Sequence, residues 1–148
     1  MFSGLMARAA MAAGVVVALA AGAGAAEVEV HMLNQSGATM MVFEPSFIRI
    51  APGDTVKFIP TDKGHNAETI PGMLPDGAEP FAGKMSAEVD VTFDKPGVYG
   101  IRCKPHYSLG MVALVVVGEP VNLDAAKAVK QVGKAKQAFA TLFDQVGK

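Results

Sequence analysis

The stretch Val98-Tyr-Gly-Ile-Arg-Cys103-Lys-Pro-His106-Tyr-Ser-Leu-Gly-Met111-Val-Ala-Leu-Val-Val-Val117 contains two apolar segments joined by a loop. Short apolar segments bounded by glycines predict two neighbouring antiparallel strands. Cys103 ends the first segment and Met111 precedes the second, so the hairpin should project Cys103, His106 and Met111 at one end.

Several other segments have the pattern of short strands. Alternating apolar residues predict strands at 27–33, 55–60 and 88–93. The apolar segment 40–50 is interrupted by Glu44-Pro45 and is predicted to be one bent or edge strand, because proline cannot donate to a β-ladder. Short strands at regular intervals predict a mainly β protein, a Greek-key sandwich or barrel.

The apolar period changes from that of strands to that of helices after Gly118-Glu-Pro120. Asn122 is a candidate N-cap, and Gly133 is predicted to be a break or a C-cap between two segments with helical spacing. We predict two short amphipathic helices packed on the sandwich, although a helical surface for a partner is an alternative.

The first residues of the chain have the composition of a targeting segment. Residues 9–26 carry no charge, and Ala23-Gly24-Ala25 matches a signal-peptidase site. We predict a cleaved signal peptide over 1–25, with cleavage after Ala25 or Ala26; a membrane anchor is the alternative reading. The predicted divisions of the exported chain are a β-sandwich over 26–118 and a helical extension over 119–148.

The charge balance of the exported chain is close to neutral. Without Arg8, twelve basic residues face fourteen acidic ones, a net charge of −2, and no polybasic block is present. This excludes nucleic acid or a lipid surface as the main partner, and we expect a monomer with no membrane contact after cleavage. The single cysteine cannot form an internal disulfide, which leaves intermolecular pairing, burial or metal binding as explanations.

The spacing Cys103-x2-His106-x4-Met111 combines a thiolate, an imidazole and a thioether in one loop. Together with a second histidine, these groups are the ligand set of an electron-transfer copper site. His65 follows the predicted strand 55–60 and could supply that imidazole, whereas His31 should lie on the surface. A Cys–His hydrolase is a weaker hypothesis, because no third orienting residue or oxyanion device is evident.

Several further motifs carry a resemblance to a known family. They are Val42-Phe-Glu-Pro45, Ala51-Pro-Gly-Asp-Thr-Val56, Phe58-Ile-Pro-Thr-Asp-Lys-Gly-His-Asn66, Pro96-Gly-Val-Tyr-Gly100 and Cys103-Lys-Pro-His106. The chain resembles the pseudoazurins, type 1 blue copper proteins of the cupredoxin fold. The resemblance implies one copper ion held by His65, Cys103, His106 and Met111, with Asn66 and Pro105 supporting the ligands. The Asn66 backbone N–H is implied to donate to the Cys103 sulfur, and its side chain to connect the ligand loops.

The resemblance also implies a function. It suggests a periplasmic one-electron carrier of denitrification, not an enzyme, that meets copper nitrite reductase and c-type cytochromes. A periplasmic copper chaperone or storage module is the alternative, although ligands dispersed over two loops of a rigid sandwich favour retention of the metal.

Residues around the predicted site suggest how a partner would dock. The loop ligand His106 is the expected electron exit. An apolar surface with a basic rim would steer an acidic partner to it. The candidate docking residues are Lys63, Lys84, Arg102, Lys104 and Leu109.

Overall fold

A computed structural model describes residues 24–148, so the predicted signal peptide lies almost wholly outside the described residues. A 3₁₀ helix spans Lys104–Leu109 between the last two strands. The strands are β1 Glu27–Ser36, β2 Thr39–Glu44, β3 Phe47–Ile50, β4 Asp54–Ile59, β5 Glu68–Thr69, β6 Val89–Phe93, β7 Gly97–Arg102 and β8 Val112–Val117, followed by helices α1 Leu123–Ala128 and α2 Ala135–Asp144.

The strands form two four-stranded sheets, in the orders β2-β1-β4-β6 and β3-β8-β7-β5. Each sheet is mixed, because β1 runs parallel to β4 and β3 runs parallel to β8, while the other pairs are antiparallel. The predicted β-sandwich with two C-terminal helices is confirmed.

The prediction of one strand across 40–50 is wrong, although the edge position that it gave is confirmed, because β2 and β3 each lie at the edge of a sheet. The two halves of this segment belong to different sheets: β2 pairs with β1, whereas β3 pairs with β8. The chain crosses between the sheets at Glu44-Pro45, where proline leaves the ladder without a donor. The first strand is also longer than predicted, because β1 continues to Ser36.

The β7–β8 hairpin lies at the centre of its sheet and is covered on both faces. Every residue of β8 is buried. Alternate residues such as Val115 face the other sheet, whereas Leu114 and Val116 pack in a second cluster with the C-terminal helices. Coverage on both faces explains why β8 is a continuous apolar segment rather than an alternating one.

The helices cover the outer face of this hairpin. Ala126 of α1 and Ala135, Phe139 and Leu142 of α2 are buried in the second cluster. The predicted break at Gly133 falls in the segment between the helices, where its φ is +51°. The sandwich therefore has a third layer, which supports the strands that lead into and out of the loop 104–110.

The N-cap position predicted for Asn122 is confirmed, but its side chain bonds elsewhere. Asn122 occupies the N-cap position but makes no side-chain capping hydrogen bond. Its Oδ1 instead accepts from the Val98 N–H at 2.7 Å, and its Nδ2 donates to the Val98 carbonyl at 2.9 Å. Since both backbone groups of Val98 are satisfied this way, Asn122 fastens the helical extension to the start of β7.

Asp54 secures the first strand to the turn before β4. Its carboxylate accepts from the N–H of Ala26 at 2.7 Å and of Ala51 at 2.9 Å. These two hydrogen bonds, that from Ala26 foremost, hold the pKa of Asp54 below its usual range. The ionised carboxylate therefore stabilises the folded state.

We expect Asp54→Asn to be less stable than the unmodified protein at neutral pH, and this difference to shrink in acid. The stabilisation by a carboxylate of lowered pKa is present above the unfolded-state pKa of ~3.9 and is lost as the pH falls through the folded-state pKa. Urea unfolding at neutral and strongly acidic pH measures the difference. A difference that stays constant with pH would contradict this role, and Asp76→Asn, at an exposed position, is the control.

Candidate metal centre

Cys103 lies where β7 enters the loop, and it is fully buried. Its N–H donates to the Met111 carbonyl at 3.0 Å, and its carbonyl accepts from the His106 N–H at 3.2 Å. Pro105 stands in the first turn of the 3₁₀ helix, where a missing N–H costs nothing. The loop therefore folds back so that His106 faces Cys103.

Three potential metal-binding side chains converge at this end of the sandwich. His65, from the loop after β4, is fully buried, and its Nδ1 lies 3.7 Å from the Cys103 Sγ. The His106 Nδ1 lies 3.6 Å from the same sulfur and 3.1 Å from the His65 Nδ1. The sequence prediction placed these residues at one pole, and the structure brings them together within 4.8 Å.

The separations between these donor atoms suit one metal ion. Metal–nitrogen bonds of ~2.0 Å and metal–sulfur bonds of ~2.3 Å put donors in a common plane about 3.5–3.8 Å apart. The two sulfur–nitrogen distances of 3.7 and 3.6 Å agree with that, and the nitrogen–nitrogen distance of 3.1 Å is somewhat shorter. A thiolate with two imidazoles is the donor set of a type 1 copper site, so the residues present fit copper.

Met111 belongs to the same buried region. It is fully buried in the core cluster that contains Cys103, and its N–H donates to the His106 carbonyl at 3.2 Å. The backbone of Met111 thus contacts both Cys103 and His106, which fixes the second end of the loop. A thioether is the usual weak fourth ligand of such copper sites.

Asn34 orients His65, and the sequence analysis missed it. The His65 Nε2 lies 2.8 Å from the Asn34 Oδ1, which can only accept. The proton therefore resides on Nε2, and Nδ1 presents its lone pair to the site. Asn34 lies in β1 just beyond the strand predicted over 27–33, and no feature of the sequence relates it to His65.

Ser86 holds the backbone on both sides of His65, and it too was missed. Its Oγ accepts from the Gly64 N–H at 2.9 Å, and its N–H donates to the His65 carbonyl at 2.8 Å. Its φ of +57° is unusual for a residue other than glycine. Strained backbone of this kind persists where surrounding contacts require it, here in the support of His65.

Asn66 connects the two loops that supply the donors. Its Oδ1 accepts from the Lys104 N–H at 2.8 Å, and its Nδ2 donates to the Gly83 carbonyl at 3.2 Å. The backbone N–H groups of Asn66 and His106 also act to lower the pKa of the Cys103 thiol. The Asn66 side chain thus connects the His65 loop to the Cys103 loop.

Burial shifts the protonation of the donors. It raises the pKa of the Cys103 thiol, and the backbone N–H groups of Asn66 and His106 offset part of this rise. Burial, followed by the neighbouring His106, lowers the pKa of His65. His65 is therefore a neutral imidazole at neutral pH, whereas Cys103 needs a bound cation to become a thiolate.

The predicted docking residues differ in their surroundings. Lys63, Lys84 and Lys104 are exposed, and Leu109 is half exposed. Arg102 instead donates to the Glu68 carboxylate at 2.9 Å and stacks over the Tyr107 ring at 5.2 Å. The charge of Arg102 is thus largely compensated, so the free positive charge of this surface lies on lysines.

Comparisons with known proteins agree with this site. The family described as copper binding proteins, plastocyanin/azurin family, matches residues 30–118. A pseudoazurin of Methylorubrum extorquens is 49% identical over 146 residues, covering 98% of this chain and 97% of that protein. A pseudoazurin of Paracoccus pantotrophus is 49% identical, covering 93% of this chain and 95% of that protein.

This chain belongs to the pseudoazurin family. Two solved pseudoazurin structures have the same fold. The one from Methylobacterium extorquens superposes with a TM-score of 0.78 at 52% identity, covering 81% of this chain and 98% of that one. The one from Hyphomicrobium denitrificans superposes with a TM-score of 0.79 at 46% identity, covering 81% of this chain and 98% of that one.

Family membership establishes the broad function. Pseudoazurins are periplasmic type 1 copper proteins that carry electrons to and from redox partners and catalyse no reaction by themselves. The predicted copper cofactor and electron-carrier function are confirmed. Within residues 24–148, no helix has the length and apolarity needed to cross a bilayer.

Proposed function

We propose that this chain shuttles single electrons between periplasmic redox proteins through one copper ion. The observation that carries this proposal is the convergence of one buried thiol and two imidazole nitrogens within 4.8 Å, at the end of a closely packed sandwich. The proposed ligands are His65, Cys103, His106 and Met111.

The chain's own residues prepare this site before any metal binds. A bound copper ion supplies a one-electron couple between its cupric and cuprous states. Asn34 holds His65 with Nδ1 toward the site, and Asn66 ties the two donor loops together. The backbone N–H groups at the Cys103 sulfur stabilise its thiolate form. Because the donors are held in place, little needs to move when the charge of the site changes.

The exposed member of the donor set indicates where electrons leave. His65 and Cys103 are buried, whereas His106 is partly exposed. The His106 Nδ1 faces the other donors, so the opposite edge of its ring is directed away from them. Pro105 and Leu109, both exposed, provide apolar surface on the same loop. We assign His106 as the contact through which electrons pass.

The charges near the site favour an acidic partner. Lys63 lies two residues before His65, Lys104 follows Cys103, and Lys84 lies two residues before Ser86, which bonds to the His65 loop. The resemblance to pseudoazurins supports copper nitrite reductase and c-type cytochromes as these partners. Redox encounters of this kind bury small interfaces, below ~1,200 Å² in total, which permits rapid release.

We expect Lys104→Glu to slow association with an acidic nitrite reductase several-fold at low salt and to weaken the salt dependence of the rate. Reversing one charge in the path of approach reduces electrostatic steering. The Lys104 contact to Asn66 uses only the backbone N–H, so the site itself should be unaffected. Stopped-flow oxidation of the reduced protein measures the rate.

Lys95→Glu is the matched control for this charge reversal. Lys95 is exposed and lies just before Gly97, where β7 begins, whereas Lys104 lies beyond the other end of the same strand. The control should change the rate little. Equal effects of the two variants, or no effect of Lys104→Glu at low salt, would refute the steering role.

Voltammetry of the copper-loaded protein tests the proposed function against a chaperone or storage role. An electron carrier should give a reversible one-electron wave and retain its copper against a mild chelator at neutral pH. Rapid loss of copper to the chelator, or no reversible wave, would favour metal delivery or storage instead.

The proposed export rests on the sequence of residues 1–25. We propose cleavage after Ala25 or Ala26 and a monomeric mature protein with a sandwich over 26–118 and an extension over 119–148. The intact mass of the protein recovered from the periplasm identifies the cleavage site, and a mass that retains residues 1–25 would contradict it.

A further inference from the structure

We propose that the segment between the two C-terminal helices, residues 129–134, is a positioning element for the loop 104–110. We call these two segments the connector and the ligand loop. The connector acts on the ligand loop through Tyr107 and Ser108, and so adjusts the placement of His106. This inference rests on the proposed function, because it treats the ligand loop as part of the copper site.

The connector's first contact is made by the side chain that follows His106. The Tyr107 hydroxyl donates a hydrogen bond to the Oε1 of Gln131. The Gln131 Nε2 in turn lies 3.0 Å from the Met73 sulfur, a weak acceptor. Gln131 thus links the ligand loop to a fully buried core residue.

Met73 itself is tightly fixed. A Cβ atom at Gly100 of β7 would lie 2.7 Å from the Met73 sulfur, so Met73 packs directly against the backbone of the strand that leads to Cys103. The Tyr107 ring is also held on its face by the Arg102 guanidinium, 5.2 Å from the ring centroid. Tyr107 is therefore restrained at its ring and at its hydroxyl.

The connector's second contact is between backbones. The Lys134 N–H donates to the Ser108 carbonyl at 2.9 Å. A Cβ at Gly133 would fall 2.4 Å from that carbonyl oxygen, and the φ of +51° there also favours glycine. The chain at 133–134 thus lies against the ligand loop at a distance that only glycine permits.

Apart from the connector, the backbone of the ligand loop is held at Lys104 by the Asn66 side chain and at His106 by the Met111 N–H. Lys104, Pro105, Ser108 and Leu109 are exposed, and the backbone at His106 departs from helical angles, with φ −115° and ψ 15°. A short exposed segment of this kind is restrained mainly by the few contacts at its base. Because Tyr107 and Ser108 directly follow His106, restraints on them fix the position of the His106 imidazole. Groups that orient a metal ligand in this way tune the metal's properties.

Three variants test the Tyr107–Gln131 contact: Gln131→Ala, Tyr107→Phe and the double variant. Each single change removes one partner of the same hydrogen bond, and Tyr107→Phe retains the ring against Arg102. The neighbouring exposed residue provides the control, Lys130→Ala. Gly133→Ala tests the backbone contact separately.

The first readout is hydrogen exchange of the metal-free protein. We expect the Gly110 and Lys134 amides, which donate to Tyr107 and Ser108, to exchange at least tenfold faster in Gln131→Ala and Tyr107→Phe. The second readout is the copper-loaded protein's visible spectrum and reduction potential. Each single variant should change the one-electron equilibrium at least twofold, about 18 mV, and the double variant should add nothing further.

The outcomes separate this inference from the proposed function. Absence of an intense visible band in the unmodified protein would refute the copper assignment, while the exchange rates would still decide whether the connector restrains the loop. Unchanged exchange rates, or a lower stability with spectrum and potential unchanged, would overturn the positioning role. A Gln131→Ala protein that fails to fold leaves the decision to Tyr107→Phe and Gly133→Ala.

Discussion

Replacing Cys103 with serine is expected to abolish the intense visible absorption of the copper-loaded protein while leaving the fold intact. That absorption arises from charge transfer between a thiolate and copper, and Cys103 is the only cysteine in the chain. Serine is close in size and is expected to keep the backbone contacts to Met111 and His106. Visible spectra after addition of cupric ion, and circular dichroism of the metal-free protein, measure the two effects.

The metal-free form is needed for the stability comparison. A metal that binds only the folded state raises its apparent stability, so loaded proteins with different affinities cannot be compared directly. A band that persists in Cys103→Ser would show that the thiol is not the ligand. An unfolded metal-free variant would show that Cys103 is required as a buried core residue, and its loss of the band would then carry no information on ligation.

Replacing Phe139 with alanine is expected to destabilise the protein by about 3–5 kcal/mol, the usual cost of removing a large side chain from a core. Phe139 is 1% exposed and belongs to the cluster that joins α2 to β8. For a chain of this size the loss corresponds to a fall in Tm of roughly 10–20 °C. Thermal and urea unfolding of the metal-free protein measure it.

Gln137→Ala is the matched control, since Gln137 is an exposed residue of the same helix. Substitutions at such positions usually change stability by less than about 0.5 kcal/mol. A cost below about 1 kcal/mol for Phe139→Ala would mean that α2 does not cover the sandwich in solution. It would then favour the alternative that the helices present a surface to a partner.

The sequence carried enough local information to predict the donors and most strands. Cys103 and His106 lie three residues apart on one loop, and the loop's flanking apolar segments define the β7–β8 hairpin. The alternation of apolar and polar residues predicted β6, where Phe93 is buried and Asp90 is exposed. In a sheet with one face in solvent, successive side chains of a strand point alternately to the core and to water, so the sequence shows the same alternation. These features depend on neighbours in the chain.

The features that were missed depend on contacts between distant segments. Asn34 bonds to His65, which lies 31 positions away in the sequence, and Asn122 bonds to Val98, which lies 24 positions away. An isolated asparagine suggests a turn or a helix cap, since its side chain commonly bonds to nearby backbone. In the folded protein, Asn34 and Asn122 instead bond to His65 and Val98. Likewise, the proline at Glu44-Pro45 indicated an interruption, but not that the next strand joins the other sheet.

Adding one equivalent of cupric ion to the metal-free protein and recording its visible spectrum tests the central claim most directly. The convergence of the Cys103 sulfur with the His65 and His106 nitrogens predicts an intense thiolate-to-copper band and a blue protein. A colourless or only faintly coloured complex would contradict the assignment of these residues to a type 1 copper site.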